Sequence, residues 1–99
     1  MHIISRSALR AFIKKHGDAS RPLDDWWRLA KPAEWENFEE LKRDFRTADA
    51  VGNFKVFNIK GNQYRLIVDI DYQSQVIYIK YVLTHQEYDK GEWKRDPYY

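Results

Sequence analysis

The sequence of 99 residues contains no cysteine, which excludes disulfide bonds and thiolate metal sites and is consistent with a reducing compartment. It has no apolar run close to the roughly 20 residues that cross a membrane, and its first residues lack the apolar segment of a signal peptide. It has only three prolines and four glycines, and no stretch reads as a flexible linker. We therefore expect one domain, spanning residues 1–99, that works in the cytoplasm away from membranes.

The sequence also has little net charge, only +2, but its charges are unevenly distributed. Residues 1–16 and residues 51–68 each contain basic side chains and no acidic one. Local basic fields of this kind attract phosphates even when the net charge is small. Because charged runs are also often plain solvated surface, that alternative stays open for the first segment.

Apolar residues make up 43% of the sequence and aromatic residues 16%, which is enough for a packed core. In the first half they recur with helical spacing, at Leu9, Phe12, Ile13 and His16, then at Leu23, Trp26, Trp27 and Ala30, then at Phe38, Leu41 and Phe45. These positions predict three helices. Ser5 is expected to cap the first, and Asn37 with Glu40 has the pattern of a capping box before the third. The paired tryptophans fit this core spacing better than a base-stacking platform.

The spacing changes from helical to alternating after Gly52. Residues 54–59, 64–72 and 76–83 alternate as strands with one buried face do, and short turns separate them. Consecutive strands with short turns form an antiparallel meander, which the preceding helices must cover on one face. The predicted fold class is therefore α+β. It consists of a small antiparallel sheet, made of this meander and a short N-terminal strand at residues 2–4, packed against two or three helices.

The part of the sequence richest in reactive groups is the segment T-H-Q-E-Y-D-K at residues 84–90, directly after the last predicted strand. A strand that ends in such a cluster is a common way to position reactive side chains. His85 stands out, because the unperturbed pKa of histidine lies nearest to neutrality. The plainer alternative, a strand end with a surface histidine, remains open on these residues alone.

Recognisable segments are found along most of the chain. They are M-H-I-I-S-R-S-A-L-R, A-E-W-E-N-F-E-E-L-K-R-D-F, A-D-A-V-G-N, F-N-I-K-G-N-Q-Y-R-L-I and Y-I-K-Y-V-L-T-H-Q-E-Y-D-K. Together they resemble the HigB-type toxins of bacterial type II toxin–antitoxin modules, which are relatives of the RelE superfamily. The resemblance spans about residues 1–90 and leaves residues 91–99 outside.

The resemblance implies a compact α+β fold and an mRNA endonuclease that halts translation, commonly on the ribosome. It also implies neutralisation by a cognate helix-turn-helix antitoxin of the HigA type, encoded beside the toxin. From the charges, we expect an acidic segment of this antitoxin to bind Arg65, Lys60 and the first predicted helix.

RNA carries its own nucleophile, the 2′-OH next to the scissile phosphate. A metal-free ribonuclease therefore needs a group that accepts this proton, a group that protonates the leaving 5′-oxygen, and cations for the developing negative charge. His85 suits either proton transfer, and Tyr88 suits proton donation or orientation of the phosphate. Arg65 is the expected phosphate clamp, because a guanidinium binds two oxygens at once. Further candidate RNA or phosphate ligands are Lys55, Lys60 and Lys90.

The pairing of the last two predicted strands brings two of these residues together. Antiparallel pairing about the turn at residues 73–75 places Arg65 opposite residues 82–84, and hence close to His85. Asp89 is expected to pair with a basic residue or to orient His85, since a free carboxylate would repel a phosphate.

The residue pattern bears on two alternatives to a metal-free nuclease. The spacing of His85 and the nearby acids matches no compact metal-ligand motif, so we expect neither a metal nor another cofactor; these acids are Asp69, Asp71, Glu87 and Asp89. The second alternative is a non-catalytic RNA-binding module or an inactive toxin relative, in which exposed tyrosines stack on bases. The candidate tyrosines are Tyr64, Tyr72, Tyr78 and Tyr81, although strand alternation places several of them on the packed face.

Overall fold

The computed structural model describes residues 1–99 and is built on one sheet of five strands. In chain order the elements are β1 (His2–Ile4), α1 (Arg6–Lys15), α2 (Ser20–Ala30), α3 (Phe38–Asp44), β2 (Asp49–Val51), β3 (Phe54–Ile59), β4 (Tyr64–Asp71), β5 (Val76–Thr84) and α4 (His85–Lys90). Two short 3₁₀ helices, Gly17–Ala19 and Glu92–Arg95, follow α1 and α4. None of the helices combines the length and the apolar composition that crossing a membrane requires. The predicted α+β class is confirmed.

The three helices predicted in the first half of the chain are confirmed as α1, α2 and α3. Trp26 of α2 is buried at 2% exposure, as its spacing predicts. Asn37 caps α3 by accepting the backbone N–H of Glu40 at 3.0 Å, while the Glu40 carboxylate accepts the N–H of Glu36. The predicted cap of α1 is wrong, because Ser5 has left-handed backbone angles (φ 83°) and its hydroxyl makes no bond to the helix. A capping serine needs an extended backbone, which the corner between β1 and α1 does not provide.

The meander predicted in the second half is confirmed, with β3, β4 and β5 paired antiparallel. Arg65 of β4 lies opposite Leu83 of β5, inside the predicted range 82–84. A β-bulge at Ile67 and Val68 shifts the register of the pair beyond that point. Because Arg65 lies near the start of β4, antiparallel pairing places it at the end of β5, where α4 starts.

The sheet is mixed rather than wholly antiparallel, because β1 pairs in parallel with β5. The strand order is β1-β5-β4-β3-β2. Most of the chain lies between β1 and β5, and it provides the long crossover that a parallel pair needs. The other edge is β2, paired antiparallel with β3, which the sequence pattern does not predict. Its three residues are too few to show an alternating pattern.

The two faces of the sheet are covered by different parts of the chain. We call the face that packs against α1, α2 and α3 the helical face. Its buried strand side chains belong to a core of 16 buried residues and are Ile3, Phe57, Ile59, Tyr64, Leu66, Val68, Ile77 and Ile79. We call the opposite face the tail face; its strand side chains are Phe54, Val56, Arg65, Ile67, Tyr81 and Leu83. The tail-face core has four buried residues, three from the strands and Trp93.

The C-terminal segment that covers the tail face is folded. α4 ends at Gly91, whose left-handed backbone (φ 73°) turns the chain into the second 3₁₀ helix. Trp93 is buried at 4% exposure, and Tyr99 packs against Phe54 with ring centres 6.1 Å apart. The side chain of Asn53 donates to the carbonyl of Tyr99 at 3.1 Å. The last nine residues therefore pack on the same sheet as the rest of the chain.

Candidate active site

α4 begins with a complete capping box where β5 ends. The Thr84 hydroxyl accepts the backbone N–H of Glu87 at 3.2 Å, and the Glu87 carboxylate accepts the N–H of Thr84 at 2.9 Å. The second bond is the main reason why the pKa of Glu87 lies below its usual value. His85 is the first residue of this helix, and its N–H donates to the carbonyl of Gln63 at 2.9 Å. These bonds fix the backbone of His85 beside the β3–β4 hairpin.

His85 pairs with Asp89, one helical turn further along α4. Its Nδ1 lies 2.7 Å from Oδ2 of Asp89, and the two side chains are 44% and 58% exposed. A carboxylate only accepts hydrogen bonds, so the proton of neutral His85 resides on Nδ1 and the lone pair of Nε2 is free. In this geometry Asp89 orients the imidazole, which is one of the two roles expected for it.

Tyr88 contacts both a cation and an aromatic ring. Cζ of Arg65 lies 5.2 Å from the centre of the Tyr88 ring, and the ring of Trp93 stacks on it with centres 5.1 Å apart and planes inclined by 15°. The indole N–H of Trp93 also donates to the Tyr88 carbonyl at 3.0 Å. Burial raises the pKa of the Tyr88 hydroxyl, and the charge of Arg65 offsets only part of this rise. Tyr88 is therefore a neutral hydroxyl at neutral pH, with a proton to donate.

Arg65 is the one buried charged residue of the chain, at 8% exposure. Its Nη1 donates to the carbonyls of Asn62 and Tyr64 at 3.0 and 3.2 Å, and its Nη2 donates to Oδ1 of Asn62 at 2.6 Å. The alternation of β4 suggests an open polar face here, but the C-terminal segment covers that face. With two nitrogens bonded to the chain and little surface exposed, the guanidinium is not the open phosphate clamp that we expect from the sequence.

The candidate lysines lie in three different environments. Lys60 pairs with Asp18, Nζ to Oδ2 at 2.7 Å, and this contact is the main cause of the lowered pKa of that carboxylate. Lys55 extends from the helical face, over the ring of Phe38, where burial lowers its pKa. Lys90 is exposed at the end of α4. Among the three, only Lys90 lies on the helix that carries the candidate histidine.

Comparison with known proteins identifies the family of this chain. A family model for the HigB toxin, described as the RelE-like toxic component of a toxin–antitoxin system, matches residues 19–91. The chain belongs to the HigB toxin family. The matched range contains His85, Tyr88 and Asp89, whereas Glu92–Tyr99 lie beyond it.

Two HigB proteins of Escherichia coli are similar to this chain over nearly its whole length. The mRNA interferase toxin HigB of Escherichia coli K12 is 33% identical over 95 residues, which cover 90% of this chain and 88% of that protein. The mRNA interferase HigB of Escherichia coli O6:H1 is 29% identical over 96 residues, which cover 91% and 90%. The resemblance to HigB-type toxins in the sequence segments is thereby confirmed.

Most tyrosines of this HigB-family sheet are engaged in the fold. Tyr64 is buried on the helical face, and Tyr72 is partly buried against the same core. Tyr81 donates its hydroxyl proton to Asp96 at 2.7 Å. Of the four candidate tyrosines, only Tyr78, at 42% exposure, presents much of its ring to solvent. The strand alternation likewise places several of these tyrosines on the packed face.

The acidic residues do not gather into a cluster of metal ligands. No three side chains of His, Asp and Glu lie close enough together to hold one metal ion. Asp71 instead accepts the backbone N–H and the hydroxyl of Ser74 at 3.1 and 2.9 Å, and these bonds lower its pKa. Asp71 therefore stabilises the β4–β5 turn.

The sequence interpretation misses the residues that support Tyr88 and Arg65. These are Trp93, which stacks on Tyr88, and Asn62, which binds the guanidinium. A signal for Trp93 is present in the run W-K-R-D-P-Y-Y at residues 93–99. A segment so rich in large aromatic rings is expected to bury some of them against the domain.

Proposed function

We propose that this chain is an mRNA endoribonuclease, the toxin of its module, in which His85 transfers a proton. Membership of the HigB family supports the toxin role, and the names of the relatives describe mRNA interferases. The observation that carries the chemistry is the 2.7 Å contact between His85 and Asp89 at the exposed start of α4. Such a pair orients the imidazole and leaves one nitrogen available for proton transfer.

In this proposal Nε2 of His85 accepts the proton of the 2′-OH while the 2′-oxygen attacks the adjacent phosphorus. The bond between phosphorus and the 5′-oxygen breaks, and the Tyr88 hydroxyl protonates that oxygen. Asp89 stabilises the imidazolium that forms. The products are a 2′,3′-cyclic phosphate and a 5′-hydroxyl, and the proton on His85 returns through water to the Tyr88 phenolate. The raised pKa of Tyr88, caused mainly by burial, supports its assignment as the group that starts protonated.

The negative charge that develops on the phosphate needs cations from the chain. We assign this role to Lys90, which is exposed on α4. Arg65 receives a positioning role, because its guanidinium is buried 5.2 Å from the centre of the Tyr88 ring. Lys60 is already in an ion pair and Lys55 extends from the helical face, so neither enters the proposal. The reaction as proposed uses no metal ion and no other cofactor.

We further propose that cleavage takes place on the ribosome, in the cytoplasm. The side chains of His85 and Asp89 are about half exposed at the end of the sheet. An exposed site gains rate when another macromolecule holds the substrate in a reactive geometry. The ribosome holds mRNA in this way, and the resemblance to HigB-type toxins implies the same location.

For the antitoxin we propose a HigA-type helix-turn-helix protein that binds between α1 and α2. A hollow of about 500 Å³ in this place is lined by Arg6, Arg10 and Arg21 together with Trp27. Cζ of Arg6 lies 4.6 Å from the centre of the Trp27 ring, and the two aspartates of the hollow are already in ion pairs. Three arginines around an indole suit an acidic segment, so the affinity should fall as the salt concentration rises.

Expression of the chain without an antitoxin tests the proposed function. The wild-type chain should arrest growth and leave mRNA fragments that end in a 2′,3′-cyclic phosphate or its hydrolysed 3′-phosphate. Cleavage of mRNA on purified ribosomes should persist after the protein is treated with a chelator. His85→Ala should slow cleavage about 10²–10⁴-fold with the fold intact. The matched control is His2→Ala, which removes an exposed histidine from β1 and should leave the rate unchanged.

A folded His85→Ala variant that cuts mRNA at the wild-type rate contradicts the assignment of His85. A wild-type chain that binds RNA, cuts none and is tolerated by the host would instead be a binding module.

A further inference from the structure

Three residues spaced three apart, Trp93, Asp96 and Tyr99, hold the segment after α4 on the tail face. Trp93 is buried, and Asp96 accepts the hydroxyl proton of Tyr81 at 2.7 Å and lies 3.4 Å from Nζ of Lys80. Tyr99 packs edge-on against the ring of Trp93, with centres 5.4 Å apart. These three anchors fix the backbone between them, so the residues that alternate with the anchors have defined positions.

The residues between the anchors present two cations and an aromatic ring to solvent. Lys94 and Arg95 are exposed, and neither has a carboxylate within ion-pair distance. Tyr98 is 67% exposed, more than any other large apolar side chain. Its backbone N–H donates to Oδ1 of Asp96 at 2.9 Å. The cation next to the Tyr98 ring is Lys80, whose Nζ lies 5.0 Å from the ring centre, so Lys94 and Arg95 share a segment with the ring rather than a contact. Unpaired cations and an exposed ring along one segment are the combination with which proteins bind single-stranded nucleic acid.

The first part of this exposed set adjoins the candidate active site, and Tyr98 lies further along the sheet, beside Lys80. Only Gly91 separates α4 from the 3₁₀ helix that carries Lys94 and Arg95. The ring of Trp93 stacks on Tyr88, and Nζ of Lys94 lies 5.6 Å from the centre of the Trp93 ring. A strand of RNA bound near Tyr88 therefore meets these cations on the same surface.

We propose that Lys94, Arg95 and Tyr98 form a second contact surface for single-stranded RNA, which starts beside the candidate catalytic groups and leads away from them. Lys94 and Arg95 bind backbone phosphates, and Tyr98 stacks on a base further along the strand. The surface supplies positive charge that the buried Arg65 does not offer to the substrate. The inference rests on the proposed function, in that RNA is taken as the substrate, and it concerns residues beyond the family match.

The test is the affinity of the full chain for a fluorescently labelled, single-stranded 2′-O-methyl RNA, which lacks the attacking hydroxyl and is not cut. In the double variant Lys94→Ala, Arg95→Ala, the slope of log Kd against log salt should become shallower by about 1.4, for two phosphate contacts at about 0.7 each. The matched control, Lys14→Ala with Lys15→Ala, removes two exposed and unpaired charges from the end of α1 and should leave the slope unchanged.

The stacking contact is tested separately at one residue. Tyr98→Ala should weaken binding about fivefold or more, which is the effect of losing one base–aromatic stack. Tyr98→Phe keeps the ring and should bind like the wild type. Because these side chains are exposed, the midpoint of thermal unfolding should not change in any of the variants.

Tail variants that bind RNA as tightly as the α1 control, with the same salt slope, overturn this surface even if the wild-type chain cleaves mRNA. Tail variants that bind RNA like the wild type but bind the antitoxin more weakly also overturn the RNA surface. That result would assign Lys94, Arg95 and Tyr98 to the protein partner. A wild-type chain that binds RNA through these residues but cuts no mRNA overturns the nuclease activity and leaves the RNA surface in place.

Discussion

The helical face and the tail face of the sheet differ in size and in polarity. The helical face is covered by three helices, and its core of 16 buried residues contains no charged side chain. The tail face is covered by one short helix and the segment after it, and its core has only four buried residues. The one buried charged residue, Arg65, and the candidate catalytic Tyr88 both belong to this smaller side.

This difference separates the part of the molecule that contributes most of the buried core from the part that holds the candidate residue Tyr88. Buried apolar area contributes roughly 25 cal/mol per Å², so the larger core accounts for most of the stability. The smaller core holds Tyr88 between few neighbours, chiefly Trp93 and Arg65. Substitutions on the helical face should therefore change stability first, and substitutions on the tail face should change catalysis first.

The largest expected effect contrasts one buried tryptophan from each face. Trp26→Ala should lower the free energy of unfolding by about 3–5 kcal/mol, because the ring is 2% exposed within the large core. Trp93→Ala should cost about 3 kcal/mol or less, since the tail face can relax around the gap or open locally. Chemical denaturation measures both losses, with Trp27→Ala, at a partly buried position, as the control. Equal losses at the two buried positions would contradict the unequal division of stability.

Tyr88→Phe separates catalysis from packing on the tail face. The ring keeps its contacts with Arg65 and Trp93, so the free energy of unfolding should change little. Cleavage should slow by about 10²-fold, because the proton donor is lost. Single-turnover cleavage is the measurement, and Tyr78→Phe makes the same change at an exposed strand position as the control. An unchanged rate would show that Tyr88 serves packing alone.

Asp89→Asn should have a smaller effect, because the pair it forms with His85 is about half exposed. Exposed pairs of this kind contribute about 0.2–1 kcal/mol, so cleavage should slow no more than about fivefold. The same single-turnover measurement applies, with Asp25→Asn on the exposed side of α2 as the matched change. A loss as large as that expected for His85→Ala would assign Asp89 a direct part in proton transfer.

The smallest effect is a pH dependence confined to the tail face. The backbone N–H of Tyr98, followed by the Tyr81 hydroxyl, lowers the pKa of Asp96. A carboxyl with a lowered folded pKa stabilises the folded state above its ordinary pKa, and this contribution is lost as the pH falls through the lowered value. An NMR titration of the Tyr98 amide should therefore show an acid transition in the wild type. If the same transition persists in the Asp96→Asn variant, a group other than Asp96 causes the acid transition of the Tyr98 amide.

The sequence by itself determined the elements and their pairing around the helical face. A buried face imposes its period on the residues that form it, so helical spacing located α1, α2 and α3 and alternation located β3, β4 and β5. The short turn at residues 73–75 was enough to place Arg65 opposite residues 82–84, and the β-bulge at Ile67 and Val68 sets its pairing with Leu83. The segment T-H-Q-E-Y-D-K was enough to single out His85, and together with the other recognisable segments it indicated the HigB family.

Only the tertiary structure decided what covers the tail face. The alternation of β4 assigns Arg65 to that face, but its burial depends on Asn62 and on Tyr88 of α4, which contact its guanidinium, and Trp93 packs in turn on Tyr88. The parallel pairing of β1 with β5 likewise joins segments far apart in the sequence. A local period records which side chains share a face. Whether that face meets water or another part of the chain depends on distant contacts, which leave no period in the sequence. This is why the sequence located the candidate catalytic residues, whereas the tertiary structure determined that His85 is open to solvent and that Arg65 is not.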